Sequence, residues 1–152
     1  MRMVIQRTTQ ARVVVGDSII SEIGTGMLIL AGIGRSDSQA DADYLARRVA
    51  DLRIFADKEP DKGGKMNLDL RQVGGSVLLI PNFTLYGDCS KGRRPGFDLA
   101  APPEVAKPLF DYLVGAFIRN GTPTKTGVFG ADMKVELVND GPVTFFIESI
   151  GR

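Results

Sequence analysis

VELVNDGPVTFFIES, residues 135–149, has a strand at each end and a break in the middle. Val135, Leu137 and Val138 lead in; Val143, Thr144, Phe145, Phe146 and Ile147 lead out. All are residue types that fit a pleated, half-buried surface. Between them lies Asn139-Asp140-Gly141-Pro142. Proline has no N–H to give to a ladder, so Pro142 belongs at a strand start, an edge or a turn. The local expectation is therefore two strands, 133–138 and 143–148, joined by a corner. A second reading makes the corner functional, since glycine is permissive enough to let two neighbouring carbonyls point the same way and grip an ammonium group. On these residues alone, the ordinary corner is the stronger reading.

Working outward, the last 28 residues also hold a third strand-like run, Lys125–Phe129. Upstream, PEVAKPLFDYLVGAFIRNG carries Leu109, Tyr112, Leu113, Ala116 and Phe117 at helical spacing, and Gly121 stops it. Pro108 sits in its first turns and predicts a late start to the regular helix. A second helix is predicted over residues 36–55, with Ala42, Leu45, Ala46, Val49 and Leu52 as its stripe and Ser36 or Ser38 as its cap.

MLILAGIG, residues 27–34, and SVLLI, residues 76–80, are continuous apolar runs that read as strands buried on both faces. Val4-Ile5 and Val13–Val15 are shorter strand-like runs. Gly16-Asp17 turns the second of these into Ile19-Ile20, so residues 13–23 read as a hairpin. Residues 57–67 read as a polar loop. The pattern predicts an α+β domain spanning 1–152, with sheet packed on sheet and two helices on the outside.

The totals bound the chemistry. The chain has 152 residues, 43% of them hydrophobic, which fits one domain with a core of its own. Net charge is +1, so no global field marks a nucleic-acid binder. The N-terminus is charged too early for a signal peptide, no apolar run reaches spanning length, and there is one cysteine, Cys89; a cytoplasmic location is expected. The composition contains no histidine. That excludes Ser-His-Asp and Cys-His catalysis and histidine zinc sites. No metal and no cofactor is expected, for no ligand spacing, phosphate loop or dinucleotide fingerprint occurs.

Four groups of residues remain as candidates. Pro81 ends the 76–80 strand; Asn82, Phe83 and Thr84 then either turn away with main-chain N–H groups free to serve as oxyanion donors or, the stronger reading on these residues alone, form a proline-marked bulge with Thr84 in the ladder and Phe83 in the core. Thr84 as a nucleophile would need a base, and none is near in sequence. Gln6 and Arg7 lie on the first strand; an inward Arg7 would offer its fork to a carbonyl or phosphate. Lys91, Arg93 and Arg94 sit on a glycine- and proline-bearing loop suited to RNA phosphates, or simply to solvent. Gly141-Pro142 is the fourth group.

IQRTTQARV, GKMNLDL, GGSVLLIPNFTLYGDCSKGRRPGF and ADMKVELVNDGPVTF together resemble the D-aminoacyl-tRNA deacylase family, in its order and spacing over nearly the whole chain. The resemblance implies a cytoplasmic homodimer of two packed, curved, largely antiparallel sheets, barrel-like, with two flanking helices. It implies hydrolysis of the ester joining a D-amino acid, or glycine, to the terminal adenosine of tRNA, with no cofactor. Gly141-Pro142 would be a Gly–cis-Pro element inserted from the partner subunit, holding the substrate ammonium and excluding L side chains. Arg7 would fix that element, with Gln6 beside it. The N–H groups of Phe83 and Thr84 would face the scissile carbonyl, and the neighbouring ribose hydroxyl would assist water. Pro81-Asn82 stands where the family has Ser-Gln, and a related subgroup with proline there has relaxed chirality. Competing readings are a non-catalytic RNA-binding module, an editing domain working with a synthetase, and a structural oligomer.

Overall fold

The computed structural model describes residues 1–57, 59, 63–90 and 92–149. In chain order its elements are β1 (Arg2–Val15), β2 (Ser18–Ile23), β3 (Gly26–Gly32), α1 (Gln39–Ala50), β4 (Phe55–Ala56), β5 (Met66–Leu68), β6 (Ser76–Pro81), a short 3-10 turn (Phe83–Tyr86), α2 (Pro103–Arg119), β7 (Thr124–Thr126) and β8 (Lys134–Glu148).

The 135–149 stretch is not a hairpin. All of it but Ser149 lies within one strand of 15 residues, and both of its halves pair with β1. Leu137 and Val138 stand opposite Ala11 and Gln10; Phe145 and Phe146 stand opposite Ile5 and Val4. Between the halves the register jumps from Gln6↔Thr144 to Thr8↔Asn139. Residues 140–143 therefore bulge out against Arg7 alone. The reason is the one that suggested a corner, namely that Gly-Pro cannot continue the ladder. The flanks, however, find their partner far away in sequence rather than in each other. β1 itself runs unbroken where two short strands were expected, because Thr8 and Thr9 continue the extended backbone between its two valine-rich ends.

One sheet has the order β2-β1-β3-β6-β7, with β8 on β1, and β4-β5 forms a second, small sheet. The ladders of β1 are antiparallel; β3–β6 and β6–β7 are parallel. α1 and α2 lie in the connections between the parallel strands, as such crossovers require. The main sheet curls until Ser21 Oγ of β2 donates to the Thr126 carbonyl of β7 at 2.7 Å, nearly closing a barrel. Ala11, Val13, Ile23, Leu28, Leu78 and Ile80 fill one core. Met3, Ile5, Met27, Ile29, Val77 and Leu79 face the other way, onto Leu45, Val49, Leu113 and Phe117 of the helices. The alternation along β3 and β6 is what the continuous apolar runs require: both faces are buried.

Ser38 is the N-cap of α1, and the Asp41 carboxylate accepts from its N–H at 2.9 Å. α2 starts at Pro103, earlier than Pro108 suggested. Pro108 has no N–H to give the Glu104 carbonyl, and both residues are exposed, so the proline is tolerated on the solvent side of the helix. Met66 and Asn67, expected in the 57–67 loop, form with Leu68 a strand paired with β4. Among the described residues no helix is long and apolar enough to cross a membrane.

Candidate active site

Two main-chain features stand out, one at each end of the N-terminal half of β1. The first is the bulge. The Gly141-Pro142 bond is cis, and Gly141 has φ +148°, where L side chains are rarely found. A Cβ at 141 would lie 2.8 Å from the Val143 nitrogen and 2.6 Å from its Cγ2, so only glycine fits. Gly141 and Pro142 are exposed while Val143 is buried. The bulge is thus anchored at its base and open at its tip.

Two side chains hold that base. Asn139 Oδ1 accepts from the Val143 N–H at 2.7 Å. Its Nδ2 contacts Gln6 Oε1 at 3.0 Å, Thr144 Oγ1 at 3.0 Å and the Val143 carbonyl at 3.3 Å. Arg7 lies across the bulge and is 9% exposed. Its Nε donates to the Asp140 carbonyl at 2.9 Å and pairs with Asp140 Oδ2 at 3.1 Å. Its terminal nitrogen donates to the Ile54 carbonyl at 2.5 Å. One guanidinium thus ties the bulge to β1 and to the segment entering β4, which a point charge on a flexible stem would do poorly. Arg7 and Gln6 were singled out in the sequence; Asn139 and Asp140 were not. Their signal was the Asn-Asp pair itself, residues that bond nearby backbone in place of a ladder.

The second feature is the 83–86 turn after β6. Pro81 closes the parallel ladder opposite Ala31, and the Asn82 N–H donates to the Ala31 carbonyl at 2.8 Å. Asn82 then caps its own turn. Its Oδ1 accepts from the Thr84 N–H at 3.2 Å and from Thr84 Oγ1 at 2.5 Å. The Thr84 N–H, one of the two candidate donors, thus already has a partner. The Phe83 N–H, first in the turn, has none among the described residues.

Arg2 and Tyr86 fix the far side of the turn. Arg2 donates to the Leu85 carbonyl at 3.0 Å, and its guanidinium lies 4.5 Å over the Tyr86 ring. Burial, then the charge of Asp37, push the Tyr86 phenol above its ordinary range, so it stays a donor toward Asp37 Oδ2 at 3.3 Å. Beside the turn is an apolar cavity of about 320 Å³, lined by Ile33, Pro81, Asn82, Phe83, Ala106 and Phe129 among others.

The bulge stands opposite Arg7, and the turn lies by Arg2 and the end of β3. Arg7 is five residue steps along the strand from Arg2, roughly 17 Å at about 3.3 Å per step. No hydrogen bond or ion pair joins bulge to turn among the described residues. One chain does not bring the two features together. Arg93 and Arg94 are exposed on the loop after the turn; Lys91 lies outside the described residues. Among the described residues no cluster of histidine, cysteine, aspartate or glutamate is placed to hold a metal.

Comparison with known proteins agrees over the whole chain. Residues 4–148 match the family model described as D-Tyr-tRNA(Tyr) deacylase. The D-aminoacyl-tRNA deacylase of Geobacter sulfurreducens is 51% identical over 152 residues, covering 100% of this chain and 97% of its own. That of Pelobacter propionicus is 52% identical over 148 residues, 97% of this chain and 99% of its own. Among solved structures, the c-Myc DNA Unwinding Element Binding Protein superposes with a TM-score of 0.90 at 35% identity, covering 97% of this chain and 98% of that one. A probable eukaryotic D-amino acid tRNA deacylase shares the fold, with a TM-score of 0.80 at 17% identity over 97% and 98% of the two chains. The chain belongs to the D-Tyr-tRNA(Tyr) deacylase family.

Proposed function

We propose that this protein, acting as one domain in a cytoplasmic homodimer, hydrolyses the ester between a D-amino acid and the terminal adenosine of tRNA. Its family and curated relatives carry that hydrolase activity in their names. The observation that carries the reading is the Gly141-Pro142 tip: exposed main chain, held rigidly by Arg7 and Asn139, on a strand that pairs on both sides of it.

In this reading the tip's carbonyls accept the substrate ammonium, and an L side chain is turned into the main chain. Rejection by backbone acts on every L side chain whatever its chemistry, whereas a side-chain pocket discriminates small apolar groups poorly. Glycine has nothing to reject, so glycyl-tRNA is a substrate too. The separation of bulge and turn within one chain supports a dimer in which the tip of one subunit meets the turn of the other. The apolar surface of β8 offers area for it: Val138, Phe145 and Phe146 are all exposed. The cavity beside Phe83 accepts the adenine.

No nucleophilic side chain is needed. An aminoacyl ester is already activated. Orientation, the Phe83 N–H as oxyanion donor and the neighbouring ribose hydroxyl, which positions water, make up the mechanism. Thr84→Ala is therefore expected to keep kcat within about tenfold of wild type, for Oγ1 only supports the Asn82 cap. Single-turnover rates on D-tyrosyl-tRNA check this; a drop of several orders of magnitude in a folded variant would restore Thr84 as the nucleophile.

A second reading, a deacylase with relaxed chirality, has one observation in its favour. Pro81-Asn82 replaces Ser-Gln, and the Asn82 carboxamide oxygen is turned back onto Thr84 rather than outward. Turnover of D-tyrosyl-tRNA by the purified protein tests the enzyme reading directly. Tight binding without release of free tRNA would make it an RNA-binding module.

A further inference from the structure

We infer that Phe83 and Phe97 form a stacking step for the unpaired nucleotide preceding the terminal adenosine, with Arg93 and Arg94 on its phosphates. The inference rests on the deacylase reading and extends the site along the RNA.

Phe83 is 57% exposed and Phe97 37% exposed, although both are large apolar rings. Their centroids are 5.0 Å apart with planes at 68°, an edge-to-face pair. Such a pair leaves ring faces open to a third flat group. Phe83 also lines the apolar cavity; Phe97 does not. A chain whose last nucleoside fills the cavity therefore meets Phe83 first and Phe97 next.

The rings are held in place beforehand. A Cβ on Gly87 would lie 3.2 Å from the Phe97 ring and 3.0 Å from the Thr84 carbonyl, so glycine there lets the ring lie against the turn. Asp88 and Gly96 exchange two main-chain hydrogen bonds, at 2.8 and 2.9 Å, and close the loop between them. Arg35 Nε donates to the Asp98 carbonyl at 2.5 Å, and the Arg35 N–H to the Leu99 carbonyl at 3.1 Å. The closed loop displays Arg93 and Arg94, exposed and without an ion pair among the described residues. Exposed rings, with Arg93 and Arg94 a few residues before Phe97 in the chain, match a single strand of nucleic acid: bases stack on any ring, and phosphates meet the charge. The occupant is thus the single-stranded 3′ end of the tRNA.

The test compares two D-tyrosyl esters, one on full-length tRNA and one on adenosine alone. Phe97→Leu keeps an apolar side chain but removes the ring face. It is expected to lower kcat/KM on tRNA about tenfold more than on the adenosine ester, with the loss in KM. Phe97→Tyr restores the ratio. Arg93→Gln with Arg94→Gln is expected to flatten the salt dependence on tRNA by about 1.4 in slope, at about 0.7 per phosphate contact. Equal effects of Phe97→Leu on both esters, with wild type active, would overturn the stacking step and leave the deacylase standing. Wild-type protein that cleaves neither ester would overturn the deacylase reading, and the step with it.

Discussion

Gly141→Ala is expected to lower kcat/KM for D-tyrosyl-tRNA by at least about 100-fold in a protein that still folds. The reasons are local. Residue 141 sits at φ +148°, and a Cβ there would come within 2.8 Å of the Val143 nitrogen, a main-chain atom that cannot swing aside. Val143 is buried, and its N–H and carbonyl are both engaged by Asn139. The base of the bulge therefore holds, and the relief falls on the exposed tip, whose carbonyls turn. A shift of about 1 Å in a positioning group is enough for a loss of this size. β1 and β8 pair on both sides of the bulge, so the fold survives. Circular dichroism and thermal melting confirm the fold, and deacylation kinetics measure the effect. Unchanged activity in a folded Gly141→Ala protein would remove the tip from the site.

Arg7→Ala has the second largest expected effect, and it acts on stability as well as activity. Its guanidinium is buried and bonded to the Asp140 carbonyl, the Asp140 carboxylate and the Ile54 carbonyl. Truncation strips these acceptors of a charged donor. The Ile54 bond is fully buried; the Asp140 carboxylate is half exposed and regains water. The expected cost is about 2–3 kcal/mol, mostly from the buried bond, since charge-assisted hydrogen bonds contribute about 1.5–3 kcal/mol each. For a chain of this length that is about 4–12 °C in Tm. Activity falls by about 100-fold as the bulge loosens. Arg7→Lys recovers part of the stability but little activity, because one ammonium cannot span acceptors on two segments. Melting curves and kcat/KM on the same preparations separate the two effects. Full activity in Arg7→Lys would show that charge alone suffices.

The parts legible in the sequence are those set by local pattern. β3 and β6 are continuous apolar runs because cores press on both faces. The stripe of α1 and the Gly16-Asp17 turn between β1 and β2 follow from spacing and turn chemistry. What misled was long-range pairing. Thr8, Thr9 and Gln10 look like a break in β1, yet the strand is held there by partners over 100 residues away or across β3. The same distance hides the unity of β8: Pro142 forbids a ladder locally, and only the partner strand shows that pairing resumes.

The site divides in the same way. Arg7, Gln6 and Gly141-Pro142 are legible as candidates, and the structure places Arg7 and Gln6 against Asp140 and Asn139, the residues that lead into Gly141. Asn139 was not, because its role depends on which backbone atoms the bulge leaves unpaired. Nor could sequence show that Asn82 covers the Thr84 N–H while the Phe83 N–H has no partner among the described residues. Side-chain reach, not residue type, decides that.

The most direct measurement is hydrolysis of matched D- and L-tyrosyl-tRNA by the purified protein, with glycyl-tRNA alongside. A main-chain clamp predicts rapid release from the D ester and from glycine, with the L ester spared. Hydrolysis of D and L esters at equal rates, or of neither, would contradict it.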